Sequence, residues 1–171
     1  MDFVPEYNPD VLRQKALRQE RITKPLFKKL KKQKPKSLDE VVNELHDEVF
    51  RQIDCLACAN CCRSLGPRLT DRDIRRLSKH LRMKKDEFAD TYLQTDEDGD
   101  YVFKSMPCPF LIEETNECFV YEHRPKACRE YPHTDRKNYY QILHLGIKNA
   151  YYCPAVLYIN DALIKRYGLG G

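Results

Sequence analysis

The chain has 171 residues, with 30 Lys and Arg against 26 Asp and Glu, so its formal net charge is only +4. Charged residues make up 33% of the chain, which leaves enough apolar residues for one small core but no more. The longest apolar stretches, such as residues 155–159, are far shorter than the ~20 residues of a membrane-spanning helix. The sequence therefore predicts no membrane span.

The N-terminal segment MDFVPEYNPD carries three carboxylates and lacks the basic and apolar regions of a secretory signal. We therefore expect a cytoplasmic protein whose cysteines stay reduced, because persistent disulfides are rare in that compartment. A framework of four disulfides would require export and is the less favoured interpretation.

The positive charge is concentrated near the N-terminus. Residues 11–36 contain eleven Lys or Arg and a single carboxylate, Glu20. Asn8 as a cap and Pro9 at the first helical position predict a helix start, and Pro25 predicts a break or kink. We predict a basic helical arm over residues 1–36, followed by a cysteine-rich, metal-binding domain over residues 37–171.

Three interpretations of the basic arm stay open. Residues 11–36 fit a solvated helix with one packed apolar face, a surface that contacts nucleic acid or a protein partner, or a surface that contacts an anionic membrane. Because Phe27 is the only aromatic residue of this segment, base stacking is not expected.

Two pairs with capping-box spacing follow the arm. Ser37 with Glu40 predicts a helix start, and Thr70 with Asp73 repeats the pattern. From periodicity we predict helices over roughly 38–53, 74–81, 85–93 and 137–148, and a last helix that begins at Pro154 and stops at Gly168.

Short aromatic and β-branched runs at 101–104, 110–112 and 118–121 predict a small antiparallel sheet. The fold class that follows is α+β, a small, mainly helical single domain with a short antiparallel sheet, stitched by a cysteine–metal core.

Eight cysteines carry the main chemical signal. Four form the segment C-x2-C-x2-C-C and four stand singly, so that the candidate ligands are Cys55, Cys58, Cys61, Cys62, Cys108, Cys118, Cys128 and Cys153. Two intervening residues let two thiolates converge on one ion, and in a reducing compartment this spacing predicts a metal site. The alternative for any single cysteine is an inert, buried side chain.

The spacing favours iron–sulfur ligation over zinc. A C-x2-C-x2-C run combined with remote C-P pairs, here Cys108-Pro109 and Cys153-Pro154, is similar to an iron–sulfur pattern, whereas a zinc ribbon has a second C-x2-C. Adjacent Cys61 and Cys62 point apart, so we expect them to serve different metal atoms or different sites. An iron–sulfur cluster is the preferred cofactor, and zinc stays open.

Three residues near the single cysteines are further candidates for the site. Arg124 and Arg129 either compensate thiolate charge or bind backbone carbonyls and surface carboxylates. His133, five residues after Cys128, has adequate reach to be a ligand but is not required when eight thiols are available.

The residues around the cysteines resemble the YkgJ-type cysteine-cluster family over about residues 53–155. The shared elements are the C-x2-C-x2-C-C segment, CPFLIEETNECFVYEHRPKACREYP at 108–132, and Cys153-Pro154. That family is described as zinc- or iron-chelating, so the resemblance implies metal binding by all eight cysteines. A related cluster occurs within flagellin lysine methylases, which implies that iron–sulfur chemistry is open to this chain.

We therefore expect an intracellular protein that holds one iron–sulfur cluster or two metal sites. The alternative is a zinc-stabilised, non-catalytic binding module whose basic arm contacts nucleic acid or a protein partner. The sequence contains no G-x-S-x-G, P-loop or dinucleotide fingerprint, and so it names no reaction.

Overall fold

The computed structural model describes residues 4–168 and confirms the α+β class, with helices predominating over two short antiparallel sheets. The elements are α1 (Pro9–Gln33), α2 (Leu38–Phe50), α3 (Cys55–Cys58), α4 (Asn60–Ser64), α5 (Asp71–His80), α6 (Lys85–Tyr92), β1 (Leu93–Thr95), β2 (Tyr101–Phe103), β3 (Leu111–Ile112), β4 (Glu117–Cys118), α7 (Lys126–Glu130), α8 (Leu143–Asn149) and α9 (Pro154–Tyr167), with 3-10 turns at Tyr121–His123 and Tyr139–Gln141.

These elements form two compact units. The first combines the two ends of the chain, Met1–Cys55 and Pro132–Gly171, and the second is the continuous segment Leu56–Tyr131. Among residues 4–168, no helix combines the length and the apolar character that crossing a bilayer requires.

In the first unit, α1 begins as the sequence predicts. The Asn8 side chain accepts hydrogen bonds from the backbone N–H groups of Asp10 and Val11, and Pro9 occupies the first turn. The predicted break at Pro25 is wrong, because the helix continues to Gln33. Pro25 and Arg21 are exposed, so water can satisfy the Arg21 carbonyl that a proline nitrogen leaves without its helical donor.

One face of α1 supplies much of the first unit's core by packing against α8 and α9. Its buried residues are Leu12, Ala16, Gln19, Thr23, Leu26, Phe27 and Leu30. This packing holds the helix on both sides of Pro25, since tertiary contacts outweigh the loss of a single hydrogen bond.

The predicted capping box at the start of α2 is also wrong. Ser37 adopts a helical backbone conformation and its side chain caps no N–H group. The carboxylate of Asp39 instead accepts hydrogen bonds from the backbone N–H groups of Asn138 and Tyr139, at 2.6 and 2.8 Å. Asp39 therefore fastens the 3-10 turn at Tyr139–Gln141 to α2 and does not cap α2 itself.

The other helix boundaries of this unit follow the sequence more closely. The last helix begins at Pro154 and ends at the predicted stop, where the Gly168 N–H donates to the Ile164 carbonyl at 2.8 Å. The helix predicted over 137–148 is shorter, because a 3-10 turn precedes α8.

The second unit has an apolar core of its own. The predicted capping box of Thr70 and Asp73 starts α5, and the predicted helix over 85–93 is α6, which ends at Tyr92. The buried cluster consists of Leu69, Ile74, Leu77, Phe88, Leu93, Phe103, Phe110 and Val120, and it also contacts Cys108 and Cys118.

The predicted single sheet is two separate hairpins. β1 pairs with β2 in the register Leu93↔Phe103, and β3 pairs with β4 in the register Leu111↔Cys118. A turn at 96–100 closes the first hairpin, where the Asp96 N–H donates to the Asp100 carbonyl at 2.9 Å. This hairpin begins at Leu93, the last residue of the helix predicted over 85–93.

Candidate metal centre

Six of the eight candidate ligands lie in the second unit, and four of them come from separate segments. Cys62 lies on α4, Cys108 precedes β3, Cys118 ends β4 and Cys128 lies on α7. We call these four residues the thiol cluster. Cys58 ends α3 and Cys61 neighbours Cys62 on α4.

The other two cysteines belong to the first unit as it is divided here. Cys55 is exposed at the first position of α3, and Cys153 is buried at the N-cap of α9. His133, also in the first unit, has a left-handed backbone with φ 67°. A ligand role for these three residues stays a prediction from the sequence.

Main-chain hydrogen bonds join three members of the thiol cluster. The Cys108 N–H donates to the Cys62 carbonyl at 2.9 Å. The Cys108 carbonyl accepts from the N–H of Leu111 at 3.0 Å, and Leu111 lies opposite Cys118 in the second hairpin. Backbone pairing thus brings segments from three parts of the sequence together.

A charged clamp positions the fourth member, Cys128. The Asp73 carboxylate accepts a hydrogen bond from the backbone N–H of Lys126 at 3.0 Å, and the Arg76 guanidinium donates to the Arg124 carbonyl at 2.8 Å. Only 2% of the Asp73 side chain is exposed, so these contacts are sheltered from solvent. α5 therefore holds the chain immediately before Cys128.

Burial and mutual charge raise the pKa of three thiols. Burial is the main cause for Cys108, whose pKa rises to about 11, and for Cys118, whose pKa is also raised. Although part of Cys128 reaches the surface, burial of its thiol and the charges of the other three members raise its pKa to about 12. All four sulfurs are thus within electrostatic reach of one another.

The pKa of Cys62 is lowered, in contrast to that of the other three thiols. A hydrogen bond from the Cys61 thiol lowers the pKa of Cys62 to about 7, against the opposing effect of burial, and the charge of Arg63 contributes in the same direction. Of the thiol cluster, Cys62 is therefore the member most readily present as a thiolate, the form that binds metal.

The two arginines differ. Arg124 lies over the Tyr121 ring, with its guanidinium carbon 3.7 Å from the centroid, and its charge lowers the pKa of Cys118 and Cys128 against the effect of burial. Arg129 donates to the Arg124 carbonyl at 2.6 Å. Arg124 also donates to the Tyr121 carbonyl at 2.9 Å, so it combines backbone binding with charge compensation, whereas Arg129 binds the backbone.

Sequence reasoning missed several residues that build this region. Asp73 was recognised only as a cap, and Arg76 and Arg63 were not singled out. Asn116, with a left-handed φ of 59°, accepts a hydrogen bond from Arg63 at 2.5 Å and donates to the Leu56 carbonyl at 2.6 Å. Its signal is an Asn in a short hairpin turn, a position that favours this backbone conformation.

The donor set has the chemistry that zinc and iron–sulfur clusters require, since four cysteine thiols complete either kind of site. In the part of the chain that the structure describes, no three His, Cys, Asp or Glu side chains are placed to hold one metal ion as they stand. Ligation would therefore require the thiol side chains to turn toward a common centre.

Comparison with known proteins also indicates a metal-chelating domain. The family model "CxxCxxCC: Putative zinc- or iron-chelating domain" matches residues 54–154, a range that contains all eight cysteines. No curated protein and no solved structure matches the chain. Because the model covers more than half of the 171 residues, the chain belongs to the CxxCxxCC family of zinc- or iron-chelating domains.

Proposed function

We propose that the thiol cluster of Cys62, Cys108, Cys118 and Cys128 holds a metal centre, and that this centre is an iron–sulfur cluster. The observation that carries the proposal is that backbone contacts bring together the segments of Cys62, Cys108 and Cys118, while Asp73 holds the segment that precedes Cys128. The effect of the four thiols on one another's pKa supports it. Proteins rarely gather four ionisable thiols in a partly buried place without a cation to compensate their charge.

The protonation behaviour of these thiols supports a cationic occupant. Each thiolate that forms makes its neighbours harder to ionise, so the metal-free cluster keeps most of its protons near neutral pH. A bound cation reverses this effect by favouring thiolates outright. Arg124 supplies further positive charge beside Cys118 and Cys128.

Two features favour iron–sulfur over zinc. The C-P pair at Cys108-Pro109 is typical of iron–sulfur ligands, and so is the C-x2-C-x2-C run of Cys55, Cys58 and Cys61, which adjoins the thiol cluster in sequence but is not part of it. Cys108 and Cys118 also contact the apolar core of the second unit, which would limit water access to a cluster. When bound, a cluster supplies one-electron redox chemistry, and the chain supplies ligands, charge compensation and an apolar wall.

The remaining cysteines, Cys55, Cys58, Cys61 and Cys153, stay predicted ligands on the strength of the sequence pattern. Metal stoichiometry will decide whether they extend one centre or form another. A zinc-stabilised module without catalysis is the second candidate, because the family description names zinc as well as iron.

Anaerobic purification of the full chain tests the proposal. We expect iron and acid-labile sulfide in the protein and broad visible absorption, both of which Cys128→Ala should reduce. Ser105→Ala, a matched truncation of an exposed residue before Cys108, should leave them unchanged. A colourless protein with stoichiometric zinc would replace the iron–sulfur assignment by zinc, and a protein that binds neither metal would overturn both.

A further inference from the structure

The outer surface of α1 carries a row of exposed cations. The helix buries one apolar stripe in the first unit and turns its basic residues to solvent. We call the following six exposed residues the cationic face: Arg13, Arg18, Arg21, Lys28, Lys31 and Lys32. At 1.5 Å per residue, they extend over about 29 Å of helix.

No carboxylate among residues 4–168 pairs with any of these six side chains. Other basic residues of the same helix do have partners: Lys15 pairs with Glu6 at 2.9 Å, and Lys24 pairs with Glu20. Lys15 and Lys24 are thus neutralised, whereas the six residues of the cationic face are not.

The positive charges of the cationic face repel one another. Lys28 with Lys32, and Lys28 with Lys31, are neighbours on the helix surface, and like charges at these spacings destabilise a helix. A polyanion with closely and regularly spaced charges would relieve that repulsion along the whole row. The backbone of duplex DNA has this property, with one negative charge per about 1.7 Å of its axis.

We infer that the cationic face of α1 binds double-helical DNA through its phosphates, without reading the base sequence. The absence of an exposed aromatic residue on α1 disfavours single strands, which are held by stacking. The major groove of B-form DNA admits an α-helix, whereas the deep, narrow groove of A-form RNA does not.

A membrane surface fits less well. A helix that lies on a membrane inserts its apolar face, but the apolar stripe of α1 is already packed against α8 and α9. Val11, Leu17 and Ile22 are the exceptions, with 37%, 58% and 54% of their surface exposed. Three separate side chains are too few to anchor a helix in lipid.

The test measures binding of the full chain to a fluorescent DNA duplex of about 20 base pairs over a range of salt concentrations. The triple variant Arg21→Gln, Lys28→Gln, Lys32→Gln removes three charges from the cationic face. The control Arg136→Gln, Lys137→Gln, Lys148→Gln removes three exposed charges elsewhere in the first unit. Both variants lower the net charge from +4 to +1.

We expect the wild-type affinity to fall steeply with salt, with a slope of log K against log salt of about −4 to −5. The cationic-face variant should bind on the order of 10-fold more weakly at low salt, with a slope smaller in magnitude by about 2 to 3. The control should keep the wild-type affinity and slope. Circular dichroism of each variant verifies that α1 is intact.

Four outcomes would overturn the inference. These are no binding to the duplex at low salt, an equal loss of affinity in both variants, tighter binding to single-stranded DNA or duplex RNA, and tighter binding to vesicles of phosphatidylserine than to the duplex.

Discussion

The carboxylate of Asp73 accepts a hydrogen bond from the backbone N–H of Lys126 at 3.0 Å, two residues before Cys128. The same carboxylate caps α5 by accepting from Thr70, and it pairs with Arg76 at 2.8 Å. Since α5 is anchored in the apolar core of the second unit, Asp73 transmits that rigidity to the segment that carries Cys128.

Because Asp73 holds both Arg76 and the backbone of Lys126, Asp73→Asn should lower the stability of the protein. The neutral amide loses the ion pair with Arg76 and part of its capacity to accept hydrogen bonds in a buried place. We expect the free energy of unfolding of the metal-free chain to fall by about 1–3 kcal/mol, as measured by urea denaturation. The apparent metal affinity should fall as well, because Cys128 is less well positioned.

Asp71→Asn is the matched control for that change. Asp71 lies two residues away on α5, is exposed and pairs with the surface cations Arg75 and Lys85, so its replacement should leave the free energy of unfolding nearly unchanged. Equal losses for the two variants would show that the clamp contributes nothing beyond surface charge.

Asp73 also predicts an acid dependence of stability. Burial by itself would raise its pKa, but hydrogen bonds from Thr70 and Lys126 and the charge of Arg76 lower the pKa below its usual 3.8. The stabilisation is therefore fully present above the unfolded pKa and is lost as pH falls through the folded pKa.

Thermal unfolding of the wild type and of Asp73→Asn checks this dependence. The difference in Tm should be constant from neutral pH down to about pH 5 and should shrink below about pH 4. A difference that persists unchanged at low pH would mean that the Asp73 charge is not its source.

Cys62 should be the most reactive thiol of the cluster in the metal-free protein. Because a hydrogen bond from Cys61 lowers its pKa to about 7, Cys62 is largely a thiolate at pH 8, whereas Cys108 and Cys128 remain protonated. Mass spectrometry after brief alkylation with iodoacetamide should find Cys62 modified before these two.

Cys61→Ala tests the cause of that reactivity. Removal of the hydrogen bond should raise the pKa of Cys62 and slow its alkylation several-fold at pH 7. Cys58→Ala serves as the control, since Cys58 does not contribute to the shift of the Cys62 pKa. If both variants alkylate at the wild-type rate, the Cys61–Cys62 contact is not what activates the thiol.

Metal uptake should release protons. At pH 8, Cys62 is ionised, and the raised pKa values leave Cys108, Cys118 and Cys128 protonated. Ligation by four thiolates then displaces about three protons, so the apparent affinity should rise by up to about 1000-fold per pH unit near pH 8. Calorimetry in buffers of different ionisation enthalpy measures the number, and a value near zero would exclude ligation by these thiols.

Replacement of Gly146 on α8 by alanine should disturb the packing of the first unit. A Cβ atom there would lie 3.0 Å from the Tyr139 hydroxyl oxygen and 3.2 Å from Cε2 of Phe27. Tyr139 is fully buried, so the contact cannot relax into solvent, and Gly146→Ala should destabilise the protein by about 1–3 kcal/mol.

Gly66→Ala is the matched control. A Cβ at Gly66 meets nothing within 4 Å, so the change should be neutral or slightly stabilising. Both effects can be measured as shifts of the urea midpoint. An unchanged midpoint for Gly146→Ala would indicate that the first unit is more loosely packed than its geometry implies.

Whether the sequence predicts a hydrogen bond correctly depends on whether its partners lie close together along the chain. The box of Thr70 and Asp73 was predictable because both hydrogen bonds join residues three apart. The box of Ser37 and Glu40 does not form, because Ser37 adopts a helical backbone conformation. The carboxylate of Asp39 accepts hydrogen bonds from Asn138 and Tyr139, a contact with a distant segment that no local pattern encodes.

The candidate metal centre also combines features that the sequence predicts with contacts that it does not. The sequence predicts that the cysteines bind metal, but the spacing alone cannot say whether Cys61 or Cys62 joins the single cysteines. The hydrogen bond from the Cys108 N–H to the Cys62 carbonyl shows that these two segments are adjacent, which the spacing does not encode. Asp73 was recognised as a cap, yet its contact with Lys126 joins residues 53 apart and could not be foreseen.

X-ray absorption at the metal edge of the anaerobically purified full chain tests the central claim most directly, because it reports the atoms bound to the metal. We expect a first shell of sulfur alone, with an iron–iron neighbour for a cluster, or with sulfur at about 2.3 Å if the metal is zinc. Cys128→Ala should reduce the sulfur signal or the metal content. A first shell dominated by nitrogen or oxygen would contradict metal binding by the thiol cluster.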